Sequence, residues 1–564
     1  MSVLAENIQI NPLLLKGARS RVRLKHLLSW GVVTITITAF VSLMTYMTMT
    51  EQELASPQDA AKAVLPGIIV IQSILLMMFG TGAVASGVSA ERDEGLLDYV
   101  RMTPMSPTSK IIGYLFGLPA REYVLFAITL PFVVVAVVVS GFSVLTLLHF
   151  YAVFFTSVWI YHMTGMVAGV VSKKPRMASM MSMGLVAVLY FALPNLSRVG
   201  ITFFEFITIR PVFFGLLQQE LPESMRSQAE ATGIDSFRDV PLYWGMVHPT
   251  LYTLMVQGFM LAVMFSVVHR RWRDQAAHVF SKLGALLVYV GVLVFLIGSV
   301  SAIVVNDDAY RQIFGAFGGA IGAGRSPESL ELLLIIALMI MGGAYLLLIS
   351  CVTPSRHTAA AGFRRAHKLG RAGLGANADA ASSLPLALLM TLVTLAAGAF
   401  VLWLVGREGD YYQGGPSAGS AAVLAVSIAG VALFIQGVRE RAGYLVFGVS
   451  MFLLWMIPFF AMMIMYAAFE AFVPGSYIGL PCPPVLLVFA IGQMLETTTP
   501  LSGASPDYLP EPMAAYAASI TLVGGVGYAL AALLAQGVRH RSWRSLRRGI
   551  MTDPATSTGP LPSD

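Results

Sequence analysis

Residues 144–171 read VLTLLHFYAVFFTSVWIYHMTGMVAGVV, a run of 28 residues without a single Asp, Glu, Lys or Arg. A helix needs about 20 consecutive apolar residues to cross the hydrocarbon of a bilayer, because each of its backbone polar groups must be satisfied within the segment. This stretch is therefore long enough to span a membrane.

The whole chain has the same character. Of its 564 residues, 56% are hydrophobic and 12% are charged, which is about half of the charged share of ordinary soluble domains. This composition argues against a water-soluble multidomain enzyme and against a disordered regulator. The two cysteines are too few for a disulfide framework.

Charge-free apolar windows of the required length tile the chain with few gaps. We therefore predict an all-α polytopic membrane protein with about 12 transmembrane helices. Two weaker stretches, 201–217 and 477–495, contain charges or several prolines, and we interpret them as re-entrant or interfacial elements before spans 6 and 12. The windows are 30–49, 63–90, 123–141, 144–171, 177–196, 243–268, 283–305, 332–352, 384–405, 418–438, 443–469 and 513–538.

The distribution of charge predicts the orientation. Most of the 36 Lys and Arg residues fall on the side of this arrangement that also holds both termini. Lys and Arg stay cytoplasmic during insertion, so both termini are predicted to be cytoplasmic. We expect the first window to act as an uncleaved anchor, since no signal-peptide pattern precedes it. Topology also explains the net charge of +6, and no nucleic-acid partner is expected.

The chain also repeats itself. Divided near residue 278, it gives two halves of six windows each, 1–278 and 279–564. The loops between the second and third windows of each half, 91–122 and 353–383, have nearly the same length, and the halves close on the similar motifs VHRRWR and VRHRSWR. An even number of spans per half predicts parallel repeats, with any substrate path along the axis between them.

No catalytic motif accompanies the windows. The sequence lacks a Walker A motif, H-E-x-x-H, G-x-S-x-G and paired-cysteine metal spacing, so no catalytic or metal site is predicted and catalysis is expected in a partner. We expect Arg121 and Glu122 to lie at an interface on different sides of their helix, and His162 to be a packed, hydrogen-bonded histidine. The methionines of 177–183 are interpreted as packing residues.

The most informative polar segment follows the second window, SAERDEGLLDYVRMTPMSPTSK at 89–110. We predict one short helix over 89–103, with Ser89 as its cap, acidic residues in its first turn and Pro104 after its end. Leu96, Tyr99 and Val100 recur at i, i+3 and i+4, and they should share one apolar face.

Two environments suit such a helix. It can dock into a groove of a cytoplasmic partner or rest on the lipid headgroups, and the acidic residues at its start favour the partner. Ser106 and Pro107 then have the pattern of a cap and the first position of the next helix.

This segment resembles the region after the second span of ABC-2 type permeases, the membrane subunits of ATP-binding cassette transporters. The family shows an acidic-basic-acidic run with glycine, a leucine-containing stretch and Thr-Pro and Ser-Pro turns, which correspond here to 91–98, 103–104 and 106–107. Residues 11–25 also resemble the opening of the family, which often has a glutamate after the lysine where this chain has Gly17.

The resemblance implies a non-enzymatic permease subunit in a bacterial inner membrane. It carries no cofactor, and a separate cytoplasmic ATPase subunit binds and hydrolyses ATP. Whether one chain supplies both membrane halves or two chains pair as a homodimer stays open. The residues implied in docking the ATPase are Glu91, Arg92, Glu94, Gly95, Leu96, Leu97, Asp98, Tyr99 and Pro104.

Two other classes stay open beside this interpretation. A secondary carrier or channel would need no ATPase, and a membrane assembly subunit would transport nothing. The second loop, 353–383, lacks the acidic run and is basic, so it either docks a partner differently or lies on the anionic membrane surface.

Overall fold

The structure is a computed structural model. It describes residues 11–51, 56–172, 174–191, 202–220, 239–274, 277–306, 327–371, 374–375, 377–408, 412–413, 418–440, 444–496, 499–500 and 513–552.

The chain is a multi-pass α-helical membrane protein. Among the described residues, ten helices are long and apolar enough to cross a membrane, and an eleventh results if one pair of helices bent by 50° counts as a single span. The prediction of an all-α polytopic fold is therefore confirmed. The fifth predicted window forms a helix of 17 residues, Pro175–Phe191, and its last residues lie outside the described part of the chain.

The chain divides into two compact units. Unit 1 comprises residues 1–241 and 245–276, and unit 2 comprises residues 242–244 and 277–564.

Unit 1 begins with a short helix ahead of its first long one. The second long helix contains a π-helical turn, Ile74–Gly80, and a 3-10 turn, Thr202–Ile207, precedes the last helices. The helices are α1 Pro12–Arg21, α2 Leu24–Glu51, α3 Pro57–Ser73, α4 Thr81–Asp93, α5 Leu96–Met102, α6 Pro107–Gly117, α7 Ala120–Ser140, α8 Val144–Val171, α9 Pro175–Phe191, α10 Arg210–Glu220 and α11 Pro249–Arg273. A two-stranded hairpin, β1 Val240–Leu242 and β2 Gly245–Val247, precedes α11.

Unit 2 is built from longer helices around a tightly packed pair. Its helices are α12 Lys282–Val305, α13 Pro327–Val352, α14 Arg356–Lys368, α15 Leu384–Glu408, α16 Ala418–Arg439, α17 Tyr444–Phe469, α18 Phe472–Gly479, α19 Pro483–Glu496 and α20 Met513–Thr552. Gly430 and Gly437 of α16 lie directly against α20, and such small residues let two membrane helices approach closely. Strands β3 Tyr412–Gln413 and β4 Thr499–Pro500 pair antiparallel.

Two predicted windows differ from the observed helices. The window 243–268 starts too early, because Tyr243 has a φ of 54° in the turn of the β-hairpin and α11 begins only at Pro249. The helix of the window 332–352 starts earlier, at Pro327, and ends at Val352 as predicted. Helix α14 follows after a three-residue break and a bend of 50°. The two weak apolar stretches form short helices, with α10 in the first and a break between α18 and α19 in the second.

Candidate functional site

The segment predicted as one helix over 89–103 is divided in the structure. Helix α4 continues from the membrane span to Asp93, and Gly95, with a φ of 72°, turns the chain into α5. The amide of Gly95 donates to the carbonyl of Arg92 over 3.0 Å, which closes the end of α4. The prediction of a helix start at Ser89 is wrong, because Ser89 lies inside α4 and its hydroxyl donates to the carbonyl of Ser172 over 3.2 Å.

Helix α5 has one buried and one exposed face. Leu97 and Val100 are 1% and 5% exposed, and they pack into a cluster of buried side chains from α4, α6, α8 and α11. Leu96, Tyr99 and Met102 are 38%, 66% and 78% exposed. The predicted apolar face of Leu96, Tyr99 and Val100 is therefore split, since the spacing of three residues places Leu97 with Val100 and Leu96 with Tyr99 and Met102.

Glu91 points into the protein. One of its carboxylate oxygens lies 2.7 Å from Nζ of Lys16 in α1, and the other accepts a hydrogen bond from the hydroxyl of Tyr114 in α6. The ring of Tyr114 packs on Trp272 of α11, with 4.9 Å between the ring centroids. Burial and the hydrogen bond to Glu91 raise the pKa of the Tyr114 hydroxyl well above its usual value. Glu91 thus holds three helices of unit 1 together.

Arg92 also makes an internal contact. Its guanidinium donates to the carbonyls of Val170 and Ser172 at the end of α8. The last carbonyls of a helix have no partner within the helix, and a basic side chain satisfies them. Arg92 therefore ties the end of α4 to the end of α8.

The N-terminal helix α1 crosses α6 with almost no space between the backbones. A Cβ atom on Gly17 would lie 2.7 Å from the carbonyl carbon of Gly117. The side chain of Asn11 caps α1 and also donates to the carbonyl of Ser109. The close crossing accounts for glycine at position 17, where a glutamate would push the two helices apart.

Lys110 is a structural residue that sequence reasoning missed. It is 4% exposed, and its ammonium group donates to the carbonyls of Arg101 and Thr103 over 2.9 and 3.1 Å at the end of α5. Burial lowers the pKa of this lysine. The predicted cap of the next helix is confirmed: the hydroxyl of Ser106 accepts a hydrogen bond from an amide in the first turn of α6.

The residues implied in docking therefore separate into two groups. Glu91, Arg92 and Leu97 face the protein, whereas Gly95 and Pro104 are exposed in the turns at either end of α5. The other four, Glu94, Leu96, Asp98 and Tyr99, are exposed, and so is Met102. We call these five residues the docking face.

Met102 was not among the residues identified from sequence. The signal was present, because Met102 continues the spacing of three residues from Leu96 and Tyr99. Asp98 is exposed and forms an ion pair of 2.6 Å with Arg101. The docking face thus combines three exposed apolar side chains with two acidic ones.

Two ionisable residues lie at the start of α7. Glu122 is 1% exposed, and Nε of Arg121 lies 3.1 Å from one of its oxygens. The two side chains differ in exposure, at 29% for Arg121 and 2% for Glu122, but they form an ion pair that the expectation of different helix sides did not include. The Arg121 guanidinium also lies over the ring of Trp30, 5.6 Å from its centroid.

His162 lies in the middle of α8. It is fully buried, and its Nε2 lies 3.0 Å from the carbonyl oxygen of Leu76 in the π-helical turn. A π-helical turn interrupts the regular hydrogen bonding of a helix, and Leu76 uses its carbonyl for this contact. The expectation of a packed, hydrogen-bonded histidine is confirmed.

No protein-family model, no curated protein and no solved structure matches the chain. What the chain does is therefore inferred from its residues and their geometry.

Proposed function

We propose that this chain is the membrane subunit of an ATP-binding cassette transporter and resembles ABC-2 type permeases in mechanism. It moves a substrate across a bacterial inner membrane through about 12 spans, with both termini in the cytoplasm. A separate ATPase subunit supplies the energy and docks on α5. The observation that carries this proposal is the docking face, which presents three apolar side chains on a helix whose opposite face is firmly buried.

The chemistry of the docking face suits a groove in a protein. An apolar stripe on a helix enters a hydrophobic groove, and Tyr99 and Met102 are its two most exposed apolar residues. Asp98 lies in α5 and Glu94 lies just before it, and both are exposed. They would be repelled by an anionic lipid leaflet, so they favour a protein partner over the headgroups.

The contacts of α5 provide a route by which force on this helix reaches the membrane spans. Leu97 and Val100 pack into the buried cluster that includes Trp272 of α11. Just before α5, Arg92 ties α4 to α8 and Glu91 ties α4 to α1 and α6. A movement of α5 would therefore shift several helices of unit 1 together.

The proposal is tested by changing only the exposed face. In the double variant Tyr99→Ala, Met102→Asp, we expect loss of most of the co-purified ATPase subunit. The tagged chain is isolated from its native membranes, Walker-motif proteins are identified by mass spectrometry, and vanadate-sensitive ATP hydrolysis is measured. Leu97 is left unchanged, because a charge at this buried position would disturb the fold itself.

The matched control also replaces an exposed aromatic residue by alanine and an exposed methionine by aspartate, at a site outside α5. Trp244 and Met246 in the β-hairpin are 68% and 52% exposed, so Trp244→Ala, Met246→Asp should retain the ATPase. Retention of a Walker-motif ATPase by the Tyr99–Met102 variant at the level of the unaltered chain would overturn the proposal. ATP hydrolysis by the purified chain alone would also overturn it.

One observation favours the second class, an ion-coupled carrier. Glu122 is a buried carboxylate at the start of a membrane helix, and such groups mark ion or proton paths. The two classes differ in their response to Glu122→Gln. A carrier should lose its proton flux in proteoliposomes, whereas the proposed permease should retain vanadate-sensitive ATP hydrolysis by its complex.

A further inference from the structure

Two basic segments of unit 2 lie side by side. The first runs from Arg356 through α14 to Arg371, and the second is the end of α20 from Arg539 to Thr552. Neither segment contains an acidic residue. Together they carry a concentration of positive charge that the proposed function does not use.

Aromatic contacts hold the two segments together. The rings of Phe363 in α14 and Trp543 in α20 meet edge to face, with 5.4 Å between their centroids. The guanidinium of Arg539 lies over the same Trp543 ring at 5.1 Å. The buried side of α14 carries alanines, Ala359 and Ala366, which let it lie close against its neighbours.

A buried ion pair fixes the base of this arrangement. Arg539 pairs with Glu440, at the end of α16, and both side chains are almost fully buried. The carbonyl of Glu440 accepts a hydrogen bond of 3.1 Å from the amide of Arg356, where α14 begins. The charge of Arg539 is thus neutralised inside the protein, and the exposed residues of the two segments determine the outer charge.

The remaining arginines face outward. We define the basic surface as Arg364, Arg371, Arg541 and Arg544, all of which are exposed. Arg541 and Arg544 are three residues apart and share one side of α20. The tether of α14 to α20 therefore places basic side chains from two separate parts of the chain on one rigid support.

The basic surface lies directly beyond the ends of membrane spans. Only residues 353–355 separate α13 from α14, which leaves the span at an angle of 50°. Helix α20 has 40 residues and is therefore about 60 Å long, roughly twice the thickness of the bilayer hydrocarbon. Its apolar part ends at Val538, so the basic end projects into the headgroup layer and beyond it.

We propose that the basic surface binds anionic phospholipid headgroups. The leaflet next to the span ends is the nearest source of negative charge, and each Lys or Arg near an anionic leaflet contributes about 1 kcal/mol of attraction. Insertion topology requires only that the basic residues lie on one side. It does not require that two distant segments be held together with their arginines exposed.

The test compares an anionic lipid with a neutral one. The chain is purified in detergent, and phosphatidylglycerol or phosphatidylcholine is added while bound lipids are counted by native mass spectrometry. The triple variant Arg364→Gln, Arg541→Gln, Arg544→Gln should bind phosphatidylglycerol at least about tenfold more weakly. Its binding of phosphatidylcholine should not change, and its unfolding temperature without lipid should stay the same, because these side chains are exposed.

A matched triple variant controls for the loss of charge. Arg19, Arg23 and Lys25 in the N-terminal segment are also exposed, and their replacement by Gln removes the same charge from unit 1. An equal loss of phosphatidylglycerol binding in this control would overturn the proposal, because the attraction would then be diffuse. Unchanged phosphatidylglycerol binding by the first triple variant would also overturn the proposal. The proposal would fail in the same way if this variant lost only the binding of an acidic peptide or an oligonucleotide added in place of the lipid.

Discussion

The loops 91–122 of unit 1 and 353–383 of unit 2 hold corresponding places in the sequence but carry opposite surfaces. In each unit, the tryptophan of the closing basic motif packs on an aromatic ring of the loop: Trp272 on Tyr114 in unit 1, and Trp543 on Phe363 in unit 2. Outside these contacts, the first loop presents an acidic and apolar helix, whereas the second presents arginines.

The way a loop is attached to the helices and the charge of its exposed residues are therefore separate properties. The two attachments differ in their exposure. Glu91 is partly exposed and its partner Lys16 is half exposed, whereas Glu440 and Arg539 are both almost fully buried. The two loops therefore share an aromatic anchor at their base while their exposed residues differ, as the two proposed partners, a protein and a lipid surface, would require.

The largest loss of stability should come from breaking the buried Arg539–Glu440 ion pair of unit 2. Glu440→Leu leaves Arg539 buried without its carboxylate, and loss of one partner of a buried pair costs about 3–5 kcal/mol. Unfolding in detergent can be followed with a thiol-reactive dye, because Cys482 is buried in the folded unit.

A second variant separates the ion pair from a simple packing defect. Adding Arg539→Met to Glu440→Leu replaces the pair by apolar side chains of similar size, which is often neutral for stability. We expect the double variant to recover most of the loss. A double variant as unstable as the single one would show that the pair does not account for the attachment.

The next largest loss of stability should come from crowding the crossing of α1 and α6 in unit 1. Gly17→Ala places a methyl group against the backbone of Gly117, and such overpacking costs about 1–3 kcal/mol. The matched change is Gly184→Ala in α9, where a Cβ atom meets nothing within 4 Å. It should be neutral or stabilise by up to about 1 kcal/mol, and equal losses in both variants would contradict the close crossing.

Breaking the more exposed Lys16–Glu91 pair of unit 1 should lower the free energy of unfolding by less. Glu91→Gln removes the charge that pairs with Lys16 and weakens the acceptor for Tyr114, at a cost of about 1 kcal/mol. Both cysteines lie in unit 2, so this loss is measured by following the helical circular dichroism signal during denaturation. Raising the salt concentration should reduce the loss. A loss as large as that of Glu440→Leu would remove the distinction between the two attachments.

The sequence predicted the membrane fold well because apolar length is a strong signal. The docking segment was harder. The acidic run of 91–94 suggested a helix start, but the hydrogen bonds of α4 continue to its end, and only Gly95 allows the turn. The inward contacts of Glu91 and Arg92 join residues 23 to 80 positions away, and no local pattern could have indicated them.

The buried charges that hold the two loops were also missed. Lys110 and Glu440 look like ordinary surface charges in the sequence, but both are buried. Glu440 meets Arg539, 99 positions away, whereas Lys110 meets carbonyls at the end of α5, only 9 and 7 positions away. In contrast, the cap of α6 depends on the neighbouring residues Ser106 and Pro107, and the sequence alone predicted it correctly. A helix cap formed by neighbouring residues could thus be predicted from the sequence, whereas the buried polar contacts between helices could not.

The smallest effect on stability should accompany a large effect on partner binding. Asp98→Asn weakens an exposed ion pair with Arg101 and should cost less than about 0.5 kcal/mol. Asp59→Asn is the matched control, because Asp59 also pairs with a basic residue three positions later, Lys62.

If α5 docks on an ATPase, only Asp98→Asn should reduce the amount of retained ATPase. If α5 instead rests on anionic headgroups, the same variant should strengthen the association with phosphatidylglycerol, because it removes a repelling charge. Less retained ATPase would support a protein partner for α5, and stronger association with phosphatidylglycerol would support a lipid surface. The two results therefore determine whether the loops of the two units differ in partner as well as in charge.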